Sequence, residues 1–205
     1  MIRRGNFGWW LLAAVTAAAW AATATAAQDD LKLKREANEL FLQGVAEYEK
    51  DDPEAAIKKF EECLAKDPVN AHAQFNIGIC YNDLGATDKA LDAYFKTLKI
   101  DPKYADAYFN IGRIYHLKKD FVNAVAYYEK ALAQDPYAPD VLFNHAHALM
   151  EGGRVDEAIE AWQKYLTIAE SLPDEQKWVE KAQEYLKTLE AIKSGSGTGT
   201  AEKKE

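Results

Sequence analysis

A 34-residue unit recurs four times without a gap between Ala37 and Leu172, and this period constrains the fold more than any other feature of the chain. The same positions of each unit carry the same kind of side chain. Position 8 is small (Gly44, Gly78, Gly112, Ala146), position 20 is alanine (Ala56, Ala90, Ala124, Ala158), position 24 is aromatic (Phe60, Tyr94, Tyr128, Trp162) and position 28 is leucine (Leu64, Leu98, Leu132, Leu166). Self-similarity at such a period is typical of stacked supersecondary units.

Each unit carries two apolar stripes at helical spacing, which predicts two helices per unit. Small side chains at positions 8 and 20 let two antiparallel helices approach closely, and the aromatic side chain at position 24 fills the space beside that contact. Pro68, Pro102 and Pro136 close three of the units, because a proline ring clashes with continuation of the helix before it. One such hairpin cannot bury its apolar faces alone, so neighbouring units are expected to stack into a solenoid.

These positions resemble the tetratricopeptide repeat family, whose helix-turn-helix units have this period and this order of small and large side chains. The resemblance covers about two-thirds of the chain and implies an all-α, right-handed α-solenoid. The four repeats are predicted at residues 37–70, 71–104, 105–138 and 139–172.

Segments on both sides of the repeats complete the predicted organisation. Residues 28–36 are predicted to be an N-terminal helix extension, and residues 173–193 a C-terminal capping helix. Ser171 and Asp174 have the spacing of a capping box at the start of that helix. The apolar stripe expected to lie on the fourth repeat consists of Trp178, Ala182, Tyr185, Leu189 and Ile192. Residues 194–205 are small, polar and charged, which predicts a disordered tail.

The first 27 residues have the pattern of an export signal. Arg3 and Arg4 precede an apolar run from Trp9 to about Ala22, and small residues follow. This pattern predicts a signal peptide at residues 1–27 and a periplasmic protein. The competing interpretation is an uncleaved signal anchor, because residues 8–27 are about long enough to span a bilayer. The protein would then be anchored in the inner membrane with its repeats in the periplasm, and only in that case do we expect membrane contact.

The charge balance argues against nucleic acid as a partner. The formal net charge is −8, and it becomes −10 without residues 1–27, which hold two arginines and no acidic residue. An acidic surface repels nucleic acid. The sequence also has no phosphate-binding glycine loop, no nucleophile–base set and no metal-ligand spacing. We therefore expect no nucleic-acid partner, no cofactor and no enzymatic activity.

Cys63 and Cys80 occupy helix-packing positions of the first and second units, where small apolar side chains are usual. We interpret them as two buried thiols that act as small hydrophobic groups. A disulfide between Cys63 and Cys80 is the alternative in an oxidising compartment. Geometry decides between the two, because Cα atoms more than about 7 Å apart cannot be bridged.

The resemblance implies that the first helix of each repeat lines a concave groove. Position 5 is phenylalanine in all four units (Phe41, Phe75, Phe109, Phe143), and position 6 is asparagine in three (Asn76, Asn110, Asn144). Each carboxamide offers a donor and an acceptor to the backbone of an extended peptide. This row of three asparagines is similar to the asparagine ladder of the O-linked N-acetylglucosamine transferases. The alternative is that the asparagines and phenylalanines are structural.

Three further side chains are predicted to add selectivity to that groove. They are Arg113, His116 and His147, beside the contact residues Phe75, Asn76, Phe109, Asn110, Phe143 and Asn144. His116 and His147 are expected to face the same groove, and two imidazoles can bind a transition metal. No carboxylate or thiol partner is apparent, so no metal site is predicted. His145 is interpreted as a satisfied core histidine.

The sequence thus predicts a non-catalytic protein–protein interaction adaptor of the bacterial cell envelope that binds a peptide or protein segment in the concave groove. The alternative is a structural or self-associating scaffold component of a membrane-anchored envelope assembly machine. Phe95 and Tyr127 would be candidate contacts for that alternative. The repeat pattern specifies neither the identity of the partner nor the oligomeric state.

Overall fold

The structure of the protein is a computed structural model that describes residues 7–195, with the side chains of Thr25 and residues 27–195. Helices joined by short turns make up the described range. The helices in that range are α1 (Phe7–Glu49), α2 (Pro53–Lys66), α3 (Ala71–Asp83), α4 (Thr87–Ile100), α5 (Ala105–Leu117), α6 (Phe121–Gln134), α7 (Pro139–Glu151), α8 (Val155–Ala169) and α9 (Gln176–Lys193), with a short 3₁₀ helix at Pro173–Glu175. The end of α1 and α2 form the first repeat, α5–α6 the third and α7–α8 the fourth, while α3 and α4 lie in the second repeat of the sequence. The predicted all-α solenoid of helical repeats is confirmed.

The turn inside each repeat needs a left-handed residue at position 15. Asp51, Gly85, Lys119 and Gly153 hold that position, with φ of 63°, 71°, 60° and 75°. In the third repeat the next amide, that of Asp120, donates to the carbonyl of Tyr115 at 2.9 Å. This bond closes the helix end in the manner of a Schellman motif. Glycine adopts such φ values without cost, whereas Lys119 does so against its intrinsic preference.

The chain forms two compact units, residues 1–84 and residues 85–205, and the division falls in the turn of the second repeat. In the first unit, α1 and α2 meet where Gly44 faces Phe60. A Cβ atom on Gly44 would lie 2.5 Å from Cε1 of the Phe60 ring, so the small residue is required for this approach. The hydroxyl of Tyr48 also donates to Asp83 at 2.5 Å, which joins α1 to α3.

In the second unit the same small-against-aromatic contact recurs between α5 and α6, where Gly112 faces Tyr128. The core continues through the following helices as one cluster of buried side chains. Its largest fully buried members are Tyr128, Leu142, Leu149, Trp162 and Tyr165. The aromatic members belong to α6 and α8, which are the second helices of their repeats. The first helices therefore remain available to present polar side chains.

The capping helix α9 closes the second unit, but not as the sequence suggested. The capping-box prediction is wrong, because the hydroxyl of Ser171 donates to the carbonyl of Ile168 at 3.1 Å and no side chain caps the 3₁₀ turn. The predicted apolar stripe is correct in its middle, where Ala182 and Leu189 are buried and Tyr185 packs against the core, and wrong at its ends. Val179, Ala182 and Leu189 are the buried side chains of α9, whereas Ile192 is 55% exposed and Trp178 is 42% exposed.

The two chain ends carry predictions that the structure tests only in part. Residues 1–6 and 196–205, where the predicted leader starts and most of the predicted tail falls, lie outside the described residues. The helix α1 begins at Phe7 and runs without a break through residues 28–36. Within the part of the chain that is described, no helix is long and apolar enough to cross a membrane.

Candidate functional site

The three asparagines at position 6 share one side-chain geometry. In each case Nδ2 donates to the carbonyl oxygen four residues earlier in the same helix, from Asn76 to His72 at 2.8 Å, from Asn110 to Asp106 at 2.8 Å and from Asn144 to Asp140 at 2.7 Å. All three side chains are half-buried. Among the described residues, none donates to the Oδ1 atoms of Asn110 and Asn144. One hydrogen bond therefore orients each carboxamide, and those of Asn110 and Asn144 keep their oxygen and second N–H for another group.

The phenylalanines at position 5 are more deeply packed than the predicted contact role needs. Phe75 is only 8% exposed. The ring of Phe109 lies 5.9 Å from that of Tyr128, and the guanidinium of Arg113 lies 5.8 Å from its centroid. The ring of Phe143 meets those of Trp162, Tyr165 and Trp178 edge-on, at centroid distances of 4.9, 5.4 and 5.2 Å. This packing favours the structural interpretation of position 5.

One pocket of the second unit lies between α7 and the start of α9, and we call it the aromatic pocket. Its lining residues are Asp140, Phe143, Asn144, Glu175 and Trp178. The hydroxyl of Tyr165 donates to Oε2 of Glu175 at 2.8 Å, which holds that carboxylate in place. Two aromatic rings together with two carboxylates suit an apolar or positively charged side chain, because cations are attracted to ring faces and to carboxylates alike.

A second pocket adjoins the first, and we call it the histidine pocket. Its lining residues are Arg113, His116, Leu117, Lys119, Tyr128, Asn144, His147 and Glu151. The rings of His116 and His147 are 5.3 Å apart between centroids. Asn144 lines both pockets, so they are neighbours along α7. The predicted residues Arg113, His116, Asn144 and His147 do converge on one surface.

A short hydrogen-bond network organises the histidine pocket. Nε2 of His116 lies 2.7 Å from Oε2 of Glu151, and Nδ1 of His116 lies 3.4 Å from the hydroxyl of Tyr128. Nδ1 of His147 lies 3.9 Å from the same Glu151 oxygen. Burial lowers the pKa of His147, and the nearby Glu151 carboxylate opposes that shift only in part. The imidazole of His147 is therefore neutral near neutral pH.

Sequence reasoning missed the acidic residues of these two pockets and, besides them, the lining residues Leu117, Lys119, Tyr128 and Trp178. Glu151 stands at position 13 and Asp140 at position 2 of the fourth repeat, both groove positions in the family that the repeats resemble, so a signal was present. Trp178 gave no such signal, because its helix was predicted to bury it. Phe109 and Asn110 are not among the residues that line either pocket, and Asn76 belongs to the other compact unit.

Two further predictions concern side chains away from the pockets. His145 is half-buried, and within the described part of the chain its Nε2 makes no hydrogen bond, although it lies 3.9 Å from Oε1 of Glu129. It is therefore not the satisfied core histidine expected from the sequence. Burial lowers its pKa to about 4. The rings of Phe95 and Tyr127, expected on the outer face, pack against each other at a centroid distance of 6.2 Å. Both are half-buried, which leaves little of either ring for a partner.

Cys63 and Cys80 are both fully buried and are free thiols in the structure. Burial raises the pKa of both, and that of Cys80 rises to about 11. Neither thiol is therefore appreciably ionised at neutral pH, as expected for small hydrophobic groups.

Comparison with known proteins identifies the repeats. Three tetratricopeptide repeat family models match residues 41–105, 105–137 and 139–172. The sequence has no significant match among curated proteins. Similar solved structures include a crystal structure of MamA (21% identity, TM-score 0.59, covering 75% of this chain and 95% of that one) and MamA from Desulfovibrio magneticus (17%, 0.59, 80% and 98%). The tetratricopeptide domain of Arabidopsis OM64 is also similar (19%, 0.54, 57% and 96%). At these identities the likeness shows the fold alone.

Proposed function

Because this chain belongs to the tetratricopeptide repeat family, whose helical hairpins typically serve as non-catalytic interaction modules, we propose that it is an adaptor that binds a protein segment on the first helices of its repeats. The observation that carries this proposal is the pair of adjoining pockets along α7. They share Asn144, whose side chain is fixed by its own helix and still has hydrogen-bonding capacity.

The two pockets differ in charge, and this difference indicates which side chains the ligand should have. The aromatic pocket offers Asp140 and Glu175 beside aromatic rings, which suits a lysine, arginine or apolar side chain. The histidine pocket offers Arg113 and Lys119, which suit an acidic side chain. Asn144 between them can pair with the backbone of the segment. The expected ligand is a short segment in which a basic or apolar residue stands close to an acidic residue.

The cell envelope is the proposed site of action. The basic start and apolar run of residues 1–27 support export, and the two arginines there leave an acidic remainder that disfavours nucleic acid as a partner. An adaptor in the periplasm would meet exported proteins or the exposed parts of membrane proteins. If the leader remained attached, the same surface would serve a membrane-anchored assembly.

The experiment is affinity capture from bacterial envelope extract, with quantitative binding of the captured partner to purified variants. Trp178→Ala removes a half-exposed ring of the aromatic pocket, and Asn144→Ala removes the shared carboxamide. Buried tryptophans at interfaces often contribute about 2 kcal/mol, so we expect Trp178→Ala to weaken binding by about 30-fold. Asn144→Ala should weaken it by about 10-fold.

Tyr137→Ala is the matched control, because Tyr137 is an aromatic residue of the same unit that is 71% exposed and lines neither pocket. Its affinity should equal that of the wild type. Circular dichroism verifies that all three variants are folded. A partner that binds the wild type, Trp178→Ala and Asn144→Ala equally well would refute this surface as the site. It would instead support the scaffold alternative, in which contacts lie elsewhere on the chain.

A further inference from the structure

Three side chains with metal-binding atoms meet in the histidine pocket. His116 lies in the last turn of α5, and His147 and Glu151 lie four residues apart on α7, which places them side by side on one face of that helix. One ligand atom from each residue can be chosen so that all three lie within 4.8 Å of one another. Sequence reasoning found no carboxylate partner for the two imidazoles, and Glu151 is that partner.

Two of the separations between these atoms lie on either side of the value expected for a zinc site. With Zn–N and Zn–O bonds of about 2.0–2.2 Å, tetrahedral ligand atoms lie about 3.3–3.5 Å apart. The present distances from Oε2 of Glu151 are 2.7 Å to Nε2 of His116 and 3.9 Å to Nδ1 of His147. The Glu151 side chain is 43% exposed, whereas those of His116 and His147 are 13% and 26% exposed. Rotation of the exposed carboxylate can bring both Glu151 distances into that range. Binding also requires the two imidazole nitrogens, which lie within 4.8 Å of each other, to stand about 3.3–3.5 Å apart.

The ligand chemistry distinguishes among metal ions. Two imidazole nitrogens and one carboxylate oxygen suit Zn²⁺ and other divalent transition metals, whereas Ca²⁺ and Mg²⁺ prefer all-oxygen sites. Three protein ligands leave at least one coordination position for water or for a group of a partner. The nearby positive charges of Arg113 and Lys119 oppose a cation, so a weak, reversible site is expected rather than a permanent structural one.

Tyr128 supplies the outer contact that an imidazole ligand needs. Its hydroxyl lies 3.4 Å from Nδ1 of His116, and its ring is fully buried and fixed in the core. A hydroxyl can donate to or accept from an imidazole nitrogen. When Nε2 of His116 binds a metal, its proton is carried by Nδ1 instead and faces the Tyr128 oxygen. Such outer-shell contacts hold a histidine ligand in its ring orientation.

We propose that His116, His147 and Glu151 form a binding site for a divalent transition metal, with Zn²⁺ as the expected ion. The site goes beyond the proposed adaptor function and does not depend on it, because it requires no protein ligand.

The test uses the full chain without a histidine tag, stripped of metal with a chelator. Co²⁺ is titrated while visible absorption is recorded, and Zn²⁺ is then added to displace it. We expect one saturable equivalent, with the spectrum of nitrogen and oxygen ligation and no sulfur charge-transfer band. Glu151→Gln and His147→Gln should each lower the affinity by at least about 10-fold. Zn²⁺ should raise the melting temperature of the wild type, because a ligand that binds the native state stabilises it.

His72→Gln is the matched control, since it removes an exposed histidine of the other compact unit. It should bind Co²⁺ as the wild type does. Glu151 is exposed, so its substitution tests the site without disturbing the core, and circular dichroism verifies the fold of each variant. No saturable binding by the wild type, or binding by both Glu151→Gln and His147→Gln with unchanged affinity, would overturn the proposal.

Discussion

Gly112→Ala should destabilise the protein, although alanine is the better helix former. Gly112 lies in α5 against α6, and a Cβ atom there would stand 2.7 Å from both Cδ1 and Cε1 of Tyr128 and 3.3 Å from the carbonyl oxygen of Ala124. Favourable contacts between carbon atoms lie at about 3.5–4.0 Å. The added methyl group therefore overlaps the ring by roughly 1 Å.

The Tyr128 ring has no easy way to move. It is fully buried, and its hydroxyl lies 3.4 Å from Nδ1 of His116. Inserting a methyl group into a packed core typically costs about 1–3 kcal/mol. Replacing glycine by alanine within a helix gains about 1 kcal/mol. Because the overlap is large and partly with backbone, we expect the upper part of that cost and a net loss of about 1–2 kcal/mol.

The assay is urea unfolding followed by circular dichroism, in a double-mutant cycle with Tyr128→Leu. In the wild-type background Gly112→Ala should lower the midpoint with little change in slope. In the Tyr128→Leu background the ring is gone, so the same substitution should be neutral or stabilising. The difference between the two backgrounds measures the contact itself. If Gly112→Ala stabilised the wild type by about 1 kcal/mol, or acted equally in both backgrounds, the close-packing argument for position 8 would fail.

Two other perturbations follow from the structure. Burial lowers the pKa of His145 to about 4, below the ordinary value of 6.5, so the unfolded chain binds a proton first as the pH falls. The stability due to neutral His145 is complete above pH 6.5 and declines towards pH 4. Between pH 7.5 and 5.0 this contribution to the free energy of unfolding falls by about 2 kcal/mol. Urea unfolding at the two pH values should therefore show a decline in stability that is smaller for His145→Leu than for the wild type by that amount. Equal declines in the two proteins would contradict the assignment. Lys119→Gly should stabilise the protein by about 0.5–1 kcal/mol, because Lys119 has a φ of 60° that glycine adopts freely. A lower midpoint in urea for that variant would contradict this reasoning.

The repeating hairpins could be predicted from the sequence because their cause is local and periodic. Gly44 and Gly112 face the aromatic residues at position 24 of their own repeats, as the pattern of small and large side chains indicated. The end helix was harder to predict. Several apolar stripes of α9 are compatible with its sequence, and packing on α8 selected the one that contains Val179 and leaves Trp178 half exposed.

The amino-acid sequence by itself determined the helices, their order and the faces that pack within each repeat, since these depend on side-chain periodicity along one chain segment. The tertiary structure decided which polar side chains meet. The 2.7 Å contact between His116 and Glu151 joins α5 to α7, and Trp178 of α9 lines the same pocket as Asp140 of α7. Such contacts depend on the rotation and translation of one helix against another to within about an ångström. Helical periodicity defines a face only to within a side chain's width, so it cannot specify them.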